Sequence, residues 1–513
     1  MLQTFENQRW LSYGFGVCLT LPWINPYAAG PSPDAWPLLI SAFCGLVLWA
    51  FKRSLSVEII ARAWVLAAAI SAFMGLLQYF LLADGFTPWL SQPSPGTAFA
   101  NLGQRNQFAT LTSIGLIALI GWLALQPLGD RVPWWPKYIA LLLALGNAVS
   151  SSRTGFLQWA LILGLTCWWA LPRRRRLAVF AFQAMLAYLI ASVLLPQLLE
   201  FLTGIKTSGL IGRLAEGPSC ESRTALWSNV ITLIAQKPWF GWGWGDLKYA
   251  HFVTLFPGVR FCGMMGNAHN LPLHMAVTIG IPLALLLCGG FGWWIIRQRP
   301  WRETEPSRQL AWGVLAVMLL HSLVEYPLWY GPFQIAFGLC IWILCSYNPR
   351  GIFQKFELNR FTALKFQMPF AIILIAFVCY AAWDYHRVSQ LYMAPQARDA
   401  AYRDDTLEKV ENSWLFANHV RFAELGSKPL TADNAQMTYD LATTLLHFSP
   451  EPLVIEKVIT SALLLGKTES ALENLVRYRS AFPASFVRWS KANQHLLSGL
   501  RGVNADSGVQ MLR

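Results

Sequence analysis

The motif Asn267-Ala268-His269-Asn270 places a histidine immediately before a long apolar stretch. An imidazole titrates near neutral pH, so His269 could accept the proton of a hydroxyl nucleophile. A histidine at the end of an apolar stretch is more often a structural hydrogen-bonding group. Here, however, Asn267 and Asn270 add polar side chains where a hydrophobic helix begins. We therefore predict that His269 is a catalytic group and that Asn270 supports it or the acceptor.

Arginine side chains recur in the polar segments between the apolar stretches. They are Arg105, Arg153, Arg213, Arg223 and Arg260. A guanidinium group binds a phosphate through paired hydrogen bonds, and it can also extend from a membrane helix to lipid headgroups. The lipid explanation suffices for any single arginine, whereas several arginines near one polar loop favour a phosphate or diphosphate ligand. The pattern indicates chemistry on a lipid-linked anion.

Another short polar segment between apolar stretches is His321-Ser322-Leu323-Val324-Glu325-Tyr326-Pro327. Glu325 could orient a histidine or bind an acceptor. Equally, His321 and Glu325 could form a buried pair that satisfies its own hydrogen bonds. We predict that His321, Glu325 and Tyr326 bind the acceptor or support the site.

Carboxylates are sparse in the polar segments that face the predicted site. The sequence contains neither an Asp-x-Asp pair nor a His-Glu-x-x-His motif, which are common ways to hold a catalytic divalent ion. We therefore predict a site with no metal and no cofactor. Its arginines would supply fixed positive charge to a departing diphosphate.

Membrane-spanning helices must position these residues. Hydrophobic residues make up 55% of the 513-residue chain and charged residues only 13%, which is typical of a membrane protein. Apolar stretches of about 16 to 27 residues match a bilayer core about 30 Å thick. We predict about eleven transmembrane helices, near residues 10–29, 36–51, 57–83, 106–126, 136–150, 154–172, 177–203, 267–296, 309–327, 328–346 and 368–383.

The net charge of +13 lies largely in short loops. We attribute it to membrane topology and expect no nucleic-acid partner. Basic residues concentrate in alternate connections, which the positive-inside rule places in the cytoplasm. Examples are Lys52, Arg131, Arg173, Arg302, Arg350 and Lys355. The N-terminus is then cytoplasmic, whereas the loop at about 204–266 and the tail after residue 383 face outward.

The positions of the cysteines agree with this predicted membrane topology. Seven of the nine cysteines lie inside predicted spans, where a thiol behaves as a small apolar residue. Cys220 and Cys262 lie in the outward loop and could form a disulfide in an oxidising compartment. The alternative is two unpaired thiols.

The predicted fold class is all-α, with two domains. Residues 1–383 form a transmembrane catalytic domain with the long outward loop, and residues 384–513 form a soluble helical domain. Apolar residues recur at helical spacing in this tail. The stretch from Leu464 to Pro483 resembles one tetratricopeptide hairpin, although one or two hairpins do not make a repeat array.

Several motifs together resemble the O-antigen ligase/polymerase superfamily, and most closely the protein O-oligosaccharyltransferases of the PglL type. They are Gly103-Gln104-Arg105-Asn106, Ser152-Arg153-Thr154-Gly155, Ser222-Arg223 with Trp227, Pro238, Gly241, Gly243 and Gly245, Asn267-Ala268-His269-Asn270 with Gly280, and His321 to Pro327. The resemblance covers residues 100–330 well and the tail loosely.

The resemblance implies an enzyme of the bacterial inner membrane whose site faces the periplasm. The donor would be an oligosaccharide linked to undecaprenyl diphosphate, and the acceptor a serine or threonine of an exported protein such as pilin. His269 and Arg223 would be catalytic, and Gln104, Arg105 and Arg153 would bind the diphosphate. Membrane lipids are the other expected partners.

Other functions fit the same motifs. A lipid A–core acceptor would make the chain an O-antigen ligase, and a growing glycan would make it a polymerase. Leu283 departs from the ligase form of the histidine motif and argues against a ligase. The soluble tail also favours a protein acceptor, because it offers a docking surface. A transporter of lipid-linked glycans belongs to a different class. It would carry basic residues at mid-membrane depth, whereas here they cluster toward one face.

Overall fold

A computed structural model of the chain describes residues 2–26, 30–127, 132–170, 174–207, 209–214, 219–346 and 360–500. About 75% of the structure is helical, and the described residues contain no β-strand. The all-α fold class is therefore confirmed. Four residues used to predict the topology lie outside the described residues: Arg131, Arg173, Arg350 and Lys355.

The chain forms two compact units. Unit 1 comprises residues 1–216 and 294–382, and unit 2 comprises residues 217–293 and 383–513. The long loop therefore clusters with the tail, although the sequence suggested one domain at 1–383 and another at 384–513.

The first part of unit 1 contains eight helices among the described residues. They are α1 (Leu2–Ile24), α2 (Ala35–Ala50), α3 (Val57–Tyr79), α4 (Arg105–Leu125), α5 (Trp135–Ser150), α6 (Arg153–Ala170), α7 (Arg175–Thr203) and α8 (Gly209–Leu214). The long loop and the following apolar region contain α9 (Arg223–Gln236), α10 (Leu247–Val253), α11 (Leu271–Ile279) and α12 (Ile281–Gln298).

The remaining helices complete both units. They are α13 (Pro306–Ser322), α14 (Gly331–Ser346), α15 (Arg360–Ser389), α16 (Thr406–Val410), α17 (Ala417–Ser427), α18 (Ala435–Phe448), α19 (Pro452–Leu464), α20 (Thr468–Ala481), α21 (Pro483–Ala492) and α22 (Gln494–Leu500). Short 3₁₀ turns connect several of them.

Helix α4 lies at the centre of unit 1. It packs against α3, α5, α6 and α13, and 83% of its most apolar window is buried. Small residues allow these close helix contacts, as in other membrane bundles. A side chain on Gly115 would clash with Ala68 of α3, and one on Gly313 of α13 would clash with Ile117. The buried α4 thus fixes where its first residue, Arg105, lies.

The structure supports a multi-pass membrane protein. In the part of the chain that the structure describes, five helical segments are long and apolar enough to cross a membrane: Val57–Tyr79, Arg105–Leu125, Arg175–Thr203, Ile281–Arg302 and Gln367–Tyr392. Shorter apolar helices occur at Trp10–Ile24, Ala35–Ala50 and Gly331–Ser346. Within the described residues each predicted span overlaps helix, and the total of about eleven spans stays a prediction.

One predicted span is wrong in form. The stretch at 267–296 is not a single helix, because the chain breaks between α11 and α12 at Gly280. Gly280 has φ +85° and ψ +160°, a conformation that glycine adopts at little cost and that ends a helix. The candidate span therefore begins at Ile281, and the histidine motif lies on a separate nine-residue helix ahead of it.

Two hydrophobic cores of unit 2 hold the helices next to the predicted site residues Arg223 and His269. Leu226, Val230 and Leu233 of α9 pack with Val277 of α11. A second core joins α10 to the tail helices, because Phe252 is buried among Leu445, Ile459 and Tyr478. The tail consists of short packed helices, and its likeness to tetratricopeptide repeats stays a prediction.

Candidate functional site

His269 lies in a loop that its two flanking asparagines hold in place. The Oδ1 of Asn267 accepts a hydrogen bond from the His269 N–H at 2.9 Å. The side chain of Asn270 caps α11 by accepting from the Leu273 N–H at 3.0 Å. Both are ordinary roles for asparagine at turns and helix starts. The asparagines therefore shape the backbone that presents the half-buried imidazole at the start of α11.

The backbone of His269 is left-handed, with φ +49°. Only a few per cent of non-glycine residues adopt this region, and the cost is about 1–3 kcal/mol. Residues held in such conformations concentrate at functional sites, where surrounding structure compensates for the strain. The observation singles out His269 from the other histidines in the described chain, none of which has a positive φ.

Arg223 is the first residue of α9. Ser222 caps this helix by accepting from the Ala225 N–H at 3.3 Å. Trp227, one turn further along α9, donates from its indole Nε1 to the carbonyl oxygen of Ala268 at 3.0 Å. The hydrogen bond connects α9 to the residue directly before His269. Arg223 and His269 therefore belong to two adjoining elements of unit 2.

The structure joins Cys220 and Cys262 in a disulfide, with Cα atoms 5.5 Å apart. The Cys262 N–H also donates to the Cys220 carbonyl oxygen at 3.3 Å. Cys220 lies three residues before Arg223, and Cys262 lies five residues before Asn267. The bridge thus links the chain that enters α9 to the chain that leads to the histidine motif.

His274 has a structural role in the same loop. It is 4% exposed, and its Nδ1 accepts from the Ala268 N–H at 3.4 Å. Burial, and secondarily the neighbouring His269, lower the pKa of His274 to about 4. His274 is therefore neutral at neutral pH and acts as an acceptor for the loop backbone.

The Arg260 side chain donates hydrogen bonds to the backbone of its own loop, although the sequence analysis grouped it with the predicted phosphate-binding arginines. Its Nη1 donates to the Thr254 carbonyl at 2.9 Å, and its Nη2 donates to the His251 carbonyl at 2.7 Å. Burial, and secondarily Arg260, lower the pKa of His251 to about 3. These contacts give Arg260 a structural role. Arg213, another member of that group, has a side chain outside the described set.

The glycine-rich segment 238–245 packs against the break that follows α11. Three backbone hydrogen bonds connect them: Trp242 N to Val277 O at 2.8 Å, Gly243 N to Thr278 O at 3.0 Å, and Ile281 N to Pro238 O at 2.8 Å. A side chain on Gly280 would clash with the carbonyl of Trp239. Gly241 and Gly280 are therefore explained by one close backbone approach.

The site residues of unit 1 lie at the ends of three helices. Arg105 and Arg153 are the first residues of α4 and α6. Asn106 accepts from the Ser152 hydroxyl at 2.7 Å and donates from Nδ2 to Glu325 Oε1 at 3.2 Å. One amide thus connects the starts of α4 and α6 to the turn after α13. It brings together the residues next to both arginines.

His321 is the second-last residue of α13. It is fully buried, and its Nδ1 is 2.9 Å from Thr110 Oγ1. Glu325 Oε1 accepts a hydrogen bond from Asn106 Nδ2 at 3.2 Å, and the predicted pairing of Glu325 with His321 stays a prediction. Tyr326 stacks on Tyr330 with ring centroids 5.6 Å apart.

Gln104 immediately precedes α4. Its side-chain Oε1 accepts from Gln107 Nε2 at 3.1 Å, and it makes no capping bond to the helix backbone. The structure therefore shows a partner for the oxygen of Gln104 within its own helix turn.

Asn106, Ser152 and Trp227 fall within the sequence motifs, but their types alone predicted no role for them. Each is adjacent to, or one turn from, an arginine selected for its charge. Their position in the sequence was the one available clue, because a small polar residue beside an arginine that begins a helix can hydrogen-bond to that helix start. The partners, however, lie 46 and 219 residues from Asn106 and 41 residues from Trp227.

Three family models match the chain. Residues 98–124 match a protein glycosylation ligase model, residues 138–288 match an O-antigen ligase model, and residues 309–496 match the C-terminal part of a virulence factor membrane-bound polymerase model. These matches confirm the resemblance to the O-antigen ligase/polymerase superfamily and to PglL-type protein glycosylation ligases. The chain is thus similar, in three separate regions, to models of membrane glycan ligases and polymerases.

Two curated relatives come from Acinetobacter baylyi. A general O-oligosaccharyltransferase is 24% identical over 294 residues, which are 55% of this chain and 49% of the relative. A ComP-specific O-oligosaccharyltransferase is 22% identical over 391 residues, which are 75% of this chain and 65% of the relative. The matches thus span between about half and two-thirds of the relatives' own length.

Proposed function

We propose that this chain transfers an oligosaccharide en bloc from undecaprenyl diphosphate to serine or threonine hydroxyls of exported proteins. The reaction would take place at the periplasmic face of the bacterial inner membrane. Support comes from the two relatives, both O-oligosaccharyltransferases. The observation that carries the proposal is the strained backbone of His269. Asn267 accepts a hydrogen bond from the His269 N–H, and Asn270 caps the helix that follows.

His269 is proposed as the general base. As its imidazole takes the proton from the acceptor hydroxyl, the hydroxyl oxygen attacks the anomeric carbon of the donor sugar. The bond between that carbon and the diphosphate oxygen breaks, and undecaprenyl diphosphate leaves. The products are a glycosylated side chain and the lipid diphosphate, and the proton remains on His269 until solvent removes it.

Arg223 is proposed to stabilise the departing diphosphate. It opens α9, whose N-terminal N–H groups and helix dipole also favour an anion. A guanidinium matches two phosphate oxygens at once, which an ammonium group does not. Arg105 and Arg153 open α4 and α6 in the same way and are proposed as further diphosphate ligands, with Gln104 beside them.

The remaining predicted residues have supporting roles in this proposal. Glu325 positions Asn106 and so the starts of α4 and α6. His321 stabilises the packing of α13 against α4 through Thr110. Tyr326 lies on the turn that carries Glu325. The reaction is proposed to need no metal, and full activity after chelation of divalent ions is the expected result.

The alternative acceptor is lipid A–core. The match of residues 138–288 to the O-antigen ligase model favours this second candidate. Both candidates share the donor and the chemistry, and they differ only in the alcohol that attacks. An acceptor that is itself a growing glycan would correspond to the polymerase variant.

Intact mass spectrometry distinguishes these functions. Exported proteins, including pilin, are compared between strains with and without this gene, and lipopolysaccharide is separated by electrophoresis from the same cultures. The proposal expects one or more proteins to lose the mass of a whole oligosaccharide while the lipopolysaccharide pattern stays unchanged. Loss of the lipopolysaccharide ladder with unchanged protein masses would identify a ligase instead.

A further inference from the structure

The tip of the glycine-rich turn carries two large apolar side chains that the protein does not cover. Phe240 is 89% exposed and Trp239 is 71% exposed. Isolated surface hydrophobics are ordinary, but adjacent ones this exposed on a constrained turn are not. We call Trp239 and Phe240 the aromatic tip.

The aromatic tip cannot move away from the start of α12 without breaking backbone bonds. Ile281 N donates to Pro238 O at 2.8 Å immediately before the tip, and Trp242 N donates to Val277 O at 2.8 Å immediately after it. The contact of Gly280 with the Trp239 carbonyl leaves no room for a side chain. The tip is therefore fixed beside Ile281, the first residue of a candidate membrane span.

The helix that follows has the surface of a lipid-facing span. Only 6% of its most apolar window is buried, and Leu285 and Leu286 are 67% and 69% exposed. In a membrane protein such a face is covered by lipid. The exposed aromatic tip continues this apolar surface at the end of the span.

Lys237, two residues before the aromatic tip, fits the boundary of a bilayer. Lys237 lies over the ring of Trp242 with its Nζ 4.1 Å from the centroid. Tryptophan and lysine are enriched where the hydrocarbon meets the headgroups, since an indole tolerates both environments and an ammonium binds phosphate. Lys237 and Trp242 would mark the headgroup level, with the tip beyond it.

We propose that Trp239 and Phe240 insert into the bilayer, in the leaflet that holds the start of α12. The occupant of this surface is bulk phospholipid. Insertion anchors the glycine-rich turn and, through its bonds to residues 277–281, fixes the depth of α11 and of the histidine motif that begins it. The proposal does not depend on the transfer chemistry, because it follows from exposure and backbone contacts alone.

Photo-crosslinking of the full-length protein tests this directly. Phe240→p-benzoylphenylalanine and Trp239→p-benzoylphenylalanine are reconstituted in nanodiscs of phosphatidylethanolamine and phosphatidylglycerol, irradiated, and analysed by mass spectrometry. The matched control is Trp414→p-benzoylphenylalanine, because Trp414 of the tail is a comparably exposed indole, 63% exposed. The expected result is severalfold more phospholipid adduct at 240 and 239 than at 414.

Three other results would overturn the proposal. Adducts within the polypeptide would show that another part of the chain covers the tip. Phospholipid adducts no more frequent than at 414 would show that the tip lies in water. In samples supplemented with a polyprenyl diphosphate, adducts to that lipid without adducts to phospholipid would identify the tip as part of the donor site.

Discussion

At the scale of single residues, His269 is unusual for its backbone rather than for its hydrogen bonds. A left-handed histidine costs free energy that neighbouring contacts must offset. Asn267 and Asn270 supply such contacts through their side-chain oxygens. The sequence predicted a catalytic role for this motif from its residue types and their spacing. The strained φ could not be predicted, because no local pattern distinguishes this histidine from one in a helix.

Asn106 gives a residue-scale prediction in unit 1. Asn106→Asp places a carboxylate opposite Glu325, where the amide now donates, so we expect loss of stability and of transfer. A lost or repulsive buried contact of this kind costs about 1–3 kcal/mol. Glu325→Gln added to Asn106→Asp should restore both, because a glutamine amide can donate to the new carboxylate. Thermal unfolding and transfer rates of the two single variants and the double variant measure the coupling.

If the double variant is no more stable than Asn106→Asp, the Asn106–Glu325 contact does not hold these helix starts together. Ser152→Ala is a useful companion, because it removes the other partner of Asn106 without introducing charge.

The buried histidines of unit 2 give a pH prediction. The folded pKa values of His251 and His274 are about 3 and about 4, below the usual 6.5. The unfolded chain therefore takes up protons that the folded chain does not, so stability falls as pH drops below 6.5. Each histidine contributes up to about 1.4 kcal/mol per pH unit in that range.

Thermal unfolding of unit 2 between pH 7.5 and pH 5.5 measures this slope. The groups that face these rings do not offset it: Arg260 and Asn229 face His251, Lys248 lines the same small cavity, and His269 lies beside His274. His251→Gln should reduce the slope, since one of the side chains with a lowered pKa is gone. An unchanged slope in His251→Gln would contradict the assignment.

At the scale of elements, hydropathy located the helices but not the break at Gly280. Apolar residues continue on both sides of it, so a span at 267–296 is what the local pattern predicts. The break depends on hydrogen bonds from residues 238–243, about forty positions earlier in the chain. Glycine motifs in both segments were visible in the sequence, but only the structure shows that they meet.

Gly280→Ala tests the close contact between Gly280 and the Trp239 carbonyl. The new Cβ would clash with the Trp239 carbonyl and would hold a positive φ, so we expect a loss of about 1–3 kcal/mol in unfolding free energy and reduced transfer. Gly289→Ala in α12 is the matched control, because a Cβ added at Gly289 would meet no other atom within 4 Å. Alanine is a better helix former than glycine, so Gly289→Ala should be neutral or stabilising. Equal behaviour of the two variants would show that the close approach is not needed.

At the scale of the whole molecule, the long loop and the tail share a hydrophobic core. Phe252 of α10 is 2% exposed among tail residues. Tyr249 stacks on His447 with centroids 3.8 Å apart, and His447 Nδ1 lies 3.1 Å from Asp246. The sequence predicted a tail at 384–513 from composition. It could not predict this packing, because partners about 200 residues apart leave no periodic signal.

Phe252→Ala should therefore destabilise the tail and the long loop together. Removing a buried phenylalanine costs about 3–5 kcal/mol, and transfer should fall with stability. Leu464→Ala, at a tail position that is 46% exposed, is the control and should change both little. Normal transfer by a Phe252→Ala protein whose tail has lost stability would show that the loop does not depend on the tail.

The proposed chemistry depends most on the imidazole of His269, and the most direct measurement is transfer by purified, full-length His269→Gly in lipid bilayers. Glycine accepts the left-handed backbone, so the unfolding free energy should stay within about 1 kcal/mol of the unsubstituted protein. Loss of a general base should lower the transfer rate about 10²- to 10⁴-fold, with donor binding retained. Transfer by His269→Gly at the rate of the unsubstituted protein would contradict the role of His269 as the base.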